Sequence, residues 1–142
     1  CIEAGIPLSI CQNDGWRSSA PIIIDNTELC RRYLENPLTS AIVFGGLEPF
    51  EQTNELCEFL QTLRVGFRCD DDVVIYTGYY PEEIPMELRA LVPYGNIVVK
   101  FGRYIPNRAH RYDDVLGIEL ASDNQYALCI DGTWHKQEKG QE

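Results

Sequence analysis

The chain reads as an α/β protein with a mostly parallel sheet covered by helices, on three observations. Short β-branched apolar runs alternate with helical patterns; proline, glycine or acidic residues punctuate the joins; and the 142 residues, 44% of them hydrophobic, suffice for one core. In order, Pro21–Ile24 is a short apolar strand, and Asp25-Asn26-Thr27 offers caps for a helix through Leu34 that closes before Pro37. Ser40–Phe44 is the next strand. A helix from about Glu51 to Leu63 follows, with Leu56, Phe59, Leu60 and Leu63 recurring at the three- and four-residue spacing of one buried face. Val73–Thr77 is a third strand, Pro81 opens a helix carrying Ile84, Leu88 and Leu91, and Ile97–Phe101 is a fourth strand. Beyond Gly102 the repeat breaks. Arg103–Asp114 is polar and irregular, and Val115–Leu120 and Tyr126–Ile130 are short extra strands. The expected domain spans 1–131, with 132–142 a polar tail.

Composition excludes several classes. The formal net charge of −10, from 22 acidic and 12 basic residues, repels a phosphate backbone and argues against nucleic acid as the main partner. No apolar run approaches the ~20 residues of a membrane span, and no basic-then-apolar leader is present, so the expected location is cytoplasmic, with no membrane partner. The six cysteines are scattered rather than dense. Cys30 and Cys57 fall within helical patterns beside leucines and read as small core residues; Cys69 precedes an acidic turn and Cys129 lies in an apolar run. There is no Cys-x2-Cys near His110 or His135, so a zinc site is not indicated. Nor is there a glycine-rich phosphate loop, which disfavours a nucleotide-binding or flavodoxin-like protein.

The stretch richest in chemistry is Gly45-Gly46-Leu47-Glu48-Pro49, directly after the strand ending at Phe44. At the carboxyl end of a buried strand the loops converge and backbone N–H groups are free. Two glycines let a ligand approach bare backbone, Glu48 is an acceptor for an ammonium group, and Pro49 stiffens the exit. The same residues are equally consistent with an ordinary strand-to-helix turn.

Val43–Phe50 resembles the Gly-Gly-Glu-Pro motif of the radical S-adenosylmethionine (SAM) superfamily, with Leu47 inserted. Three further stretches resemble, in order, the activating proteins of the anaerobic ribonucleotide reductase: Val74–Tyr79, Val99–Ile105 and Leu120–Gln125. Cys11-Gln12-Asn13 is similar to the close of that family's cysteine loop, Cys-x3-Cys-x2-Cys, although here Cys1 and Cys11 are spaced Cys-x9-Cys. The chain begins at Cys1 and not at Met, so a missing amino terminus with a further ligand upstream is expected.

The resemblance implies an open partial (β/α) barrel of the radical SAM type and two cofactors, a [4Fe-4S] cluster and SAM. It implies Cys1 and Cys11 as cluster ligands, and a SAM site of Gly45, Gly46, Glu48, Pro49, Thr77, Gly78, Asn124 and Gln125. Reductive cleavage of SAM, with the radical passed to a glycyl radical enzyme such as the anaerobic ribonucleotide reductase and an electron donor such as flavodoxin, is the implied activity. No other catalytic residue is implied. Two alternatives stay open at the residue level: Asn124-Gln125 as a polar turn between edge strands, and Arg103 as either a SAM carboxylate ligand or a surface ion pair. A relative that kept the SAM pocket but lost a complete cluster, acting as a binding or regulatory module, is the alternative at the level of function.

Overall fold

The computed structural model describes residues 8–11 and 13–137. After a short helix α1 (Asp14–Arg17), α2 spans Asn26–Glu35. Its amino end is capped by the Asp25 carboxylate, which accepts from the N–H groups of Thr27 at 2.9 Å and Glu28 at 3.3 Å. Glu28 bridges Arg31 and Arg32 along the exposed face, and Arg32 and Arg31 hold its carboxyl below the usual range. Strand β1 is Ala41–Phe44; α3 is Thr53–Gln61 and continues as a π-turn over Thr62–Gly66; β2 is Asp72–Tyr76. Helix α4 is Pro85–Leu91, and strands β3 (Ile97–Phe101), β4 (Arg111–Asp113), β5 (Ile118–Leu120) and β6 (Tyr126–Cys129) follow, with α5 at Trp134–Gln137.

Four strands form one sheet in the order β1-β2-β3-β6. The first three are parallel, with Ile42 opposite Val73 and Ile75 opposite Val99; β6 runs antiparallel to β3, with Lys100 opposite Ala127. β4 and β5 make a separate antiparallel ribbon. Alternation along the strands sends Val73, Ile75, Ile97, Val99 and Phe101 to one face, where they meet Leu56, Phe59 and Leu60 of α3, Leu63, and Leu88 and Leu91 of α4 in a common core. The opposite face, which includes Tyr76 and Lys100, is only half covered. Arg64 ties the loops at the amino edge, donating to the carbonyls of Tyr94, Cys69, Asp71 and Gly95 at 2.7–3.0 Å.

This architecture corrects the expected open partial (β/α) barrel of the radical SAM type. It is a small α/β domain with one mixed sheet and a ribbon, and no barrel is closed. The physical reason lies at the β6 side. The strand after β3 reverses direction, and the N–H of Ala127 that points away from β3 donates to the buried Asp113 carboxylate at 2.8 Å, so a side chain takes the donor that a further strand would use. Pro21–Ile24 also departs from expectation. It forms no strand, and Ile22 and Ile23 are 85% and 94% exposed. Trp134, inside the segment read as a polar tail, is buried against the core.

Candidate functional site

The sheet places four chain segments at one edge. The loops after β1, β2 and β3 leave their carboxyl ends there, and because β6 is antiparallel its amino end, Gln125-Tyr126, joins them. Together with the amino-terminal segment around Cys11 and the β4–β5 ribbon they wall a cavity of about 770 Å³, within the ~300–1,000 Å³ typical of small-molecule sites. A shallower hollow of about 460 Å³ beside Cys57 and Tyr94 is bordered by no strand end.

Glu48 is the joint between the first two loops. Its Oε1 accepts from Thr77 Oγ1 at 2.8 Å and from Phe50 N at 3.2 Å, while Oε2 accepts from Gly78 N at 3.0 Å. The carboxylate is thereby held rigidly on the cavity wall, with part of its acceptor capacity still open. Thr77 is almost fully buried, and its hydroxyl oxygen in turn accepts from Tyr79 N. Gly46 has φ +96°, a conformation that a side chain disfavours, and Trp16 lies against the position that a Cβ would occupy. Asn13 Nδ2 donates to Gly46 O at 2.8 Å, fastening the Cys11 segment to the glycine loop.

The β3 loop is fastened to β6 in the same manner. Gln125 Nε2 donates to Gly102 O, Asn124 Nδ2 donates to Arg103 O and to Tyr80 Oη, and at Gly102, with φ +101°, a Cβ would crowd Asn124 O and Gln125 Cα. Arg103 stacks over the Tyr80 ring and pairs with Glu83 at 2.6 Å. That hydrogen bond pushes the Arg103 guanidinium up and the Glu83 carboxyl down. Across the mouth, His110 Nδ1 and Glu119 Oε1 meet at 2.6 Å on the ribbon.

Of the residues expected from sequence, Cys11, Gly46, Glu48, Thr77, Gly78 and Gln125 line the cavity. Gly45, Pro49 and Asn124 do not; Asn124 stands behind the wall, where its Oδ1 is buried without a partner. Cys1 lies outside the described residues. Arg103 lines the cavity and forms an ion pair with Glu83, the second of the two readings of that residue. Lys100 was not anticipated. A lysine within the apolar run Ile97–Phe101 was the available signal, since alternation puts it on the face away from the core.

A family model described as a 4Fe-4S single cluster domain matches residues 10–127. The chain belongs to the 4Fe-4S single cluster domain family. No curated protein and no solved structure gives a significant match. In this 4Fe-4S domain the matched region begins one residue before Cys11 and reaches into β6, so it takes in every loop of the cavity wall. Clusters of this kind are held by cysteine thiolates. Among the described residues Cys11 is the one cysteine on the cavity wall, and it is partly exposed. Cys30 and Cys69 are buried in the core, whereas Cys57 is partly exposed and Cys129 exposed but neither lines the cavity; partial desolvation pushes the thiols of Cys30, Cys57 and Cys129 up. Among the described residues no three His, Cys, Asp or Glu side chains come together as a metal site. Among the described residues, then, Cys11 is placed to give a cluster one thiolate, and the further thiolates that a cluster needs are not among them. Among the described residues, no helix is long and apolar enough to cross a membrane.

Proposed function

We propose that this 4Fe-4S domain is a radical SAM protein that cleaves S-adenosylmethionine reductively and activates a glycyl radical enzyme such as the anaerobic ribonucleotide reductase. The observation that carries this reading is the convergence of Cys11, Gly46, Glu48, Thr77, Gly78 and Gln125 on one cavity of about 770 Å³. A cluster held in part by Cys11 would supply one electron to the sulfonium of SAM, the chemistry that breaks its carbon–sulfur bond to give methionine and a 5′-deoxyadenosyl radical.

The chain's own residues bind and orient. Cys11 holds the cluster at the cavity wall. Glu48, fixed by Thr77 and Gly78, keeps acceptor capacity for the ligand ammonium, and Gly46 leaves room beside it. Tyr76, Tyr79 and Tyr104 give the cavity aromatic surface for the nucleoside, and the ribbon residues Ile118 and Leu120 help exclude water. The acidic chain, at −10, suits a partner with a basic docking face, and a flavodoxin-like protein suits the role of electron donor.

Anaerobic protein reconstituted with iron and sulfide, given SAM and dithionite, should release 5′-deoxyadenosine; with a glycyl radical enzyme added, a glycyl radical signal should appear by electron paramagnetic resonance only when SAM and reductant are both present. Absence of 5′-deoxyadenosine from cluster-loaded protein would overturn the reading. Cleavage without any glycyl radical would remove the activase role alone. A second reading, a SAM-binding or regulatory module without a complete cluster, is favoured by one observation: among the described residues Cys11 stands alone as a cysteine on the cavity wall. Iron analysis after reconstitution separates the two.

A further inference from the structure

The two edges of the sheet are treated differently. At β6 the outward N–H of Ala127 donates to the buried Asp113 carboxylate, which closes that edge to a further strand. At β1 the far side is left without a strand among the described residues, and Ala41-Ile42-Val43-Phe44 carries neither a charge nor a proline to blunt it. Which backbone groups are open there follows from the ladder. Val73 N donates to Asn96 O, so Val73 faces β3; alternation then turns Val74 toward β1, where it stands opposite Val43. In a parallel pair the bonds of Val74 go to the two residues flanking Val43, so Ala41 and Val43 point their N–H and C=O groups outward. Large apolar side chains border the same edge. Val43 is 57% exposed; Leu38, just before the strand, is 91% exposed; and Trp16, 68% exposed, lies against Gly46 just after it.

We infer that the β1 edge is a self-association surface, on which β1 of a second copy of this chain pairs antiparallel about a two-fold axis. The strand is complementary to itself. With Ile42 on the axis, Ala41 of each copy faces Val43 of the other; both turn their backbone outward, so the two pairs exchange four N–H···O=C bonds. Residues directly opposite share a face, which sets Ile42 beside Ile42 on the helix-covered side and Ala41 beside Val43 on the other. The same register carries Leu38 of each copy toward Gly46 of the other, where the exposed Trp16 lies. Charge favours this surface and this occupant. At a net −10, two copies repel wherever charged faces meet, whereas an uncharged strand brings no like charges together and offers a basic partner nothing to pair with. Area is sufficient as well. Trp16, Leu38 and Val43, with Ile22 and Ile23 in the segment joining Trp16 to α2, expose roughly 800 Å², about what one partner contributes to a standard interface. The inference stands apart from the cluster and SAM reading, since none of these backbone groups belongs to the cavity.

The test is analytical ultracentrifugation of the full chain over a wide range of concentration, joined to amide exchange at Ala41 and Val43. The unsubstituted protein should form a dimer, and those two amides should gain protection as the dimer forms. Val43→Lys puts a charge on the open edge and should raise the dissociation constant about tenfold or more, while Val65→Lys, at an exposed position outside this edge, should leave it unchanged. Where Val43→Lys fails to fold, Leu38→Lys supplies the same comparison. Ile42→Cys tests the register, because two cysteines on the axis lie within disulfide reach and oxidised glutathione should link them into a covalent dimer that the unsubstituted protein does not give. A monomer at every concentration overturns the inference, and protected Ala41 and Val43 amides in that monomer would show that a different strand occupies the edge. A dimer that Val43→Lys and Leu38→Lys leave intact places the interface elsewhere and overturns it too. Loss of the dimer in Val43→Lys without cross-linking of Ile42→Cys overturns the antiparallel pairing.

Discussion

Thr77 Oγ1 donates a 2.8 Å hydrogen bond to Glu48 Oε1, joining the end of β2 to the loop after β1. The bond is short and one partner is nearly fully buried, so the carboxylate acts as a structural joint before it acts on any ligand. Glu48→Ala removes the acceptor of three donors at once and leaves the buried Thr77 hydroxyl with one fewer partner. The expected loss is about 2–4 kcal/mol of stability, against about 1 kcal/mol for Thr77→Val. Urea unfolding of the two single variants and the double variant should show coupling of about 0.5–3 kcal/mol. Purely additive effects would mean that the bond contributes nothing.

Gly102 makes the second joint. At φ +101° it occupies a region that other residues seldom enter, and a Cβ there would stand 3.1 Å from Asn124 O and 3.3 Å from Gln125 Cα, both backbone atoms. Gly102→Ala should cost about 1–3 kcal/mol. It should also loosen the β6 end of the cavity, because Gln125 donates to the Gly102 carbonyl. The measurement is the urea midpoint together with amide exchange at Gln125 and Tyr126, where protection should fall more than in β1.

The Glu83–Arg103 pair adds a pH dependence whose sign can be worked out. Arg103 first, and then the N–H of Tyr80, hold the Glu83 carboxyl below its ordinary 4.5. A depressed folded value means that the contribution is complete above the unfolded value and is lost as pH falls through the folded one. Comparing the chain with Arg103→Met, the stability difference should be constant from pH 7 to about 5 and shrink below 4.5. A difference that persists unchanged at pH 3 would show that Arg103 stabilises through its stacking on Tyr80 instead.

Where local chemistry decided the outcome, the sequence was readable. The 3.6-residue recurrence of Leu56, Phe59, Leu60 and Leu63 predicted a buried helical face, and all four are buried; Asp25 caps α2 as its position before the helix implied. The glycine–glutamate loop fell at the end of a strand, as read from the apolar run before it. Strand direction was not readable, because the apolar content of Tyr126–Ile130 is the same whether the strand runs parallel or antiparallel to β3. The expected barrel failed at that point. Ile22–Ile24 misled for a related reason: β-branched residues favour a strand, but pairing needs an edge, which periodicity does not report. Lys100 escaped notice because one charge in an apolar run looks like noise until the neighbouring strands show which face it occupies.

The last prediction separates the cysteine of the cavity from the others. A metal ligand must be a thiolate with access to solvent or to the incoming metal, whereas a buried thiol in apolar surroundings resists deprotonation. Cys11 lies on the cavity wall with Asn13 and Gly46; Cys30 is fully buried in the core, and Cys57 and Cys129, though not buried, lie away from the cavity. Cys11→Ala should therefore abolish the brown colour and the iron retained after anaerobic reconstitution while leaving the unfolding midpoint nearly unchanged. Cys30→Ala should do the reverse, keeping its iron but losing about 1 kcal/mol or more through the cavity left beside Leu29 and Tyr33. Equal iron loss in both would mean that cluster loading follows overall stability, and the assignment of Cys11 as a ligand would fail.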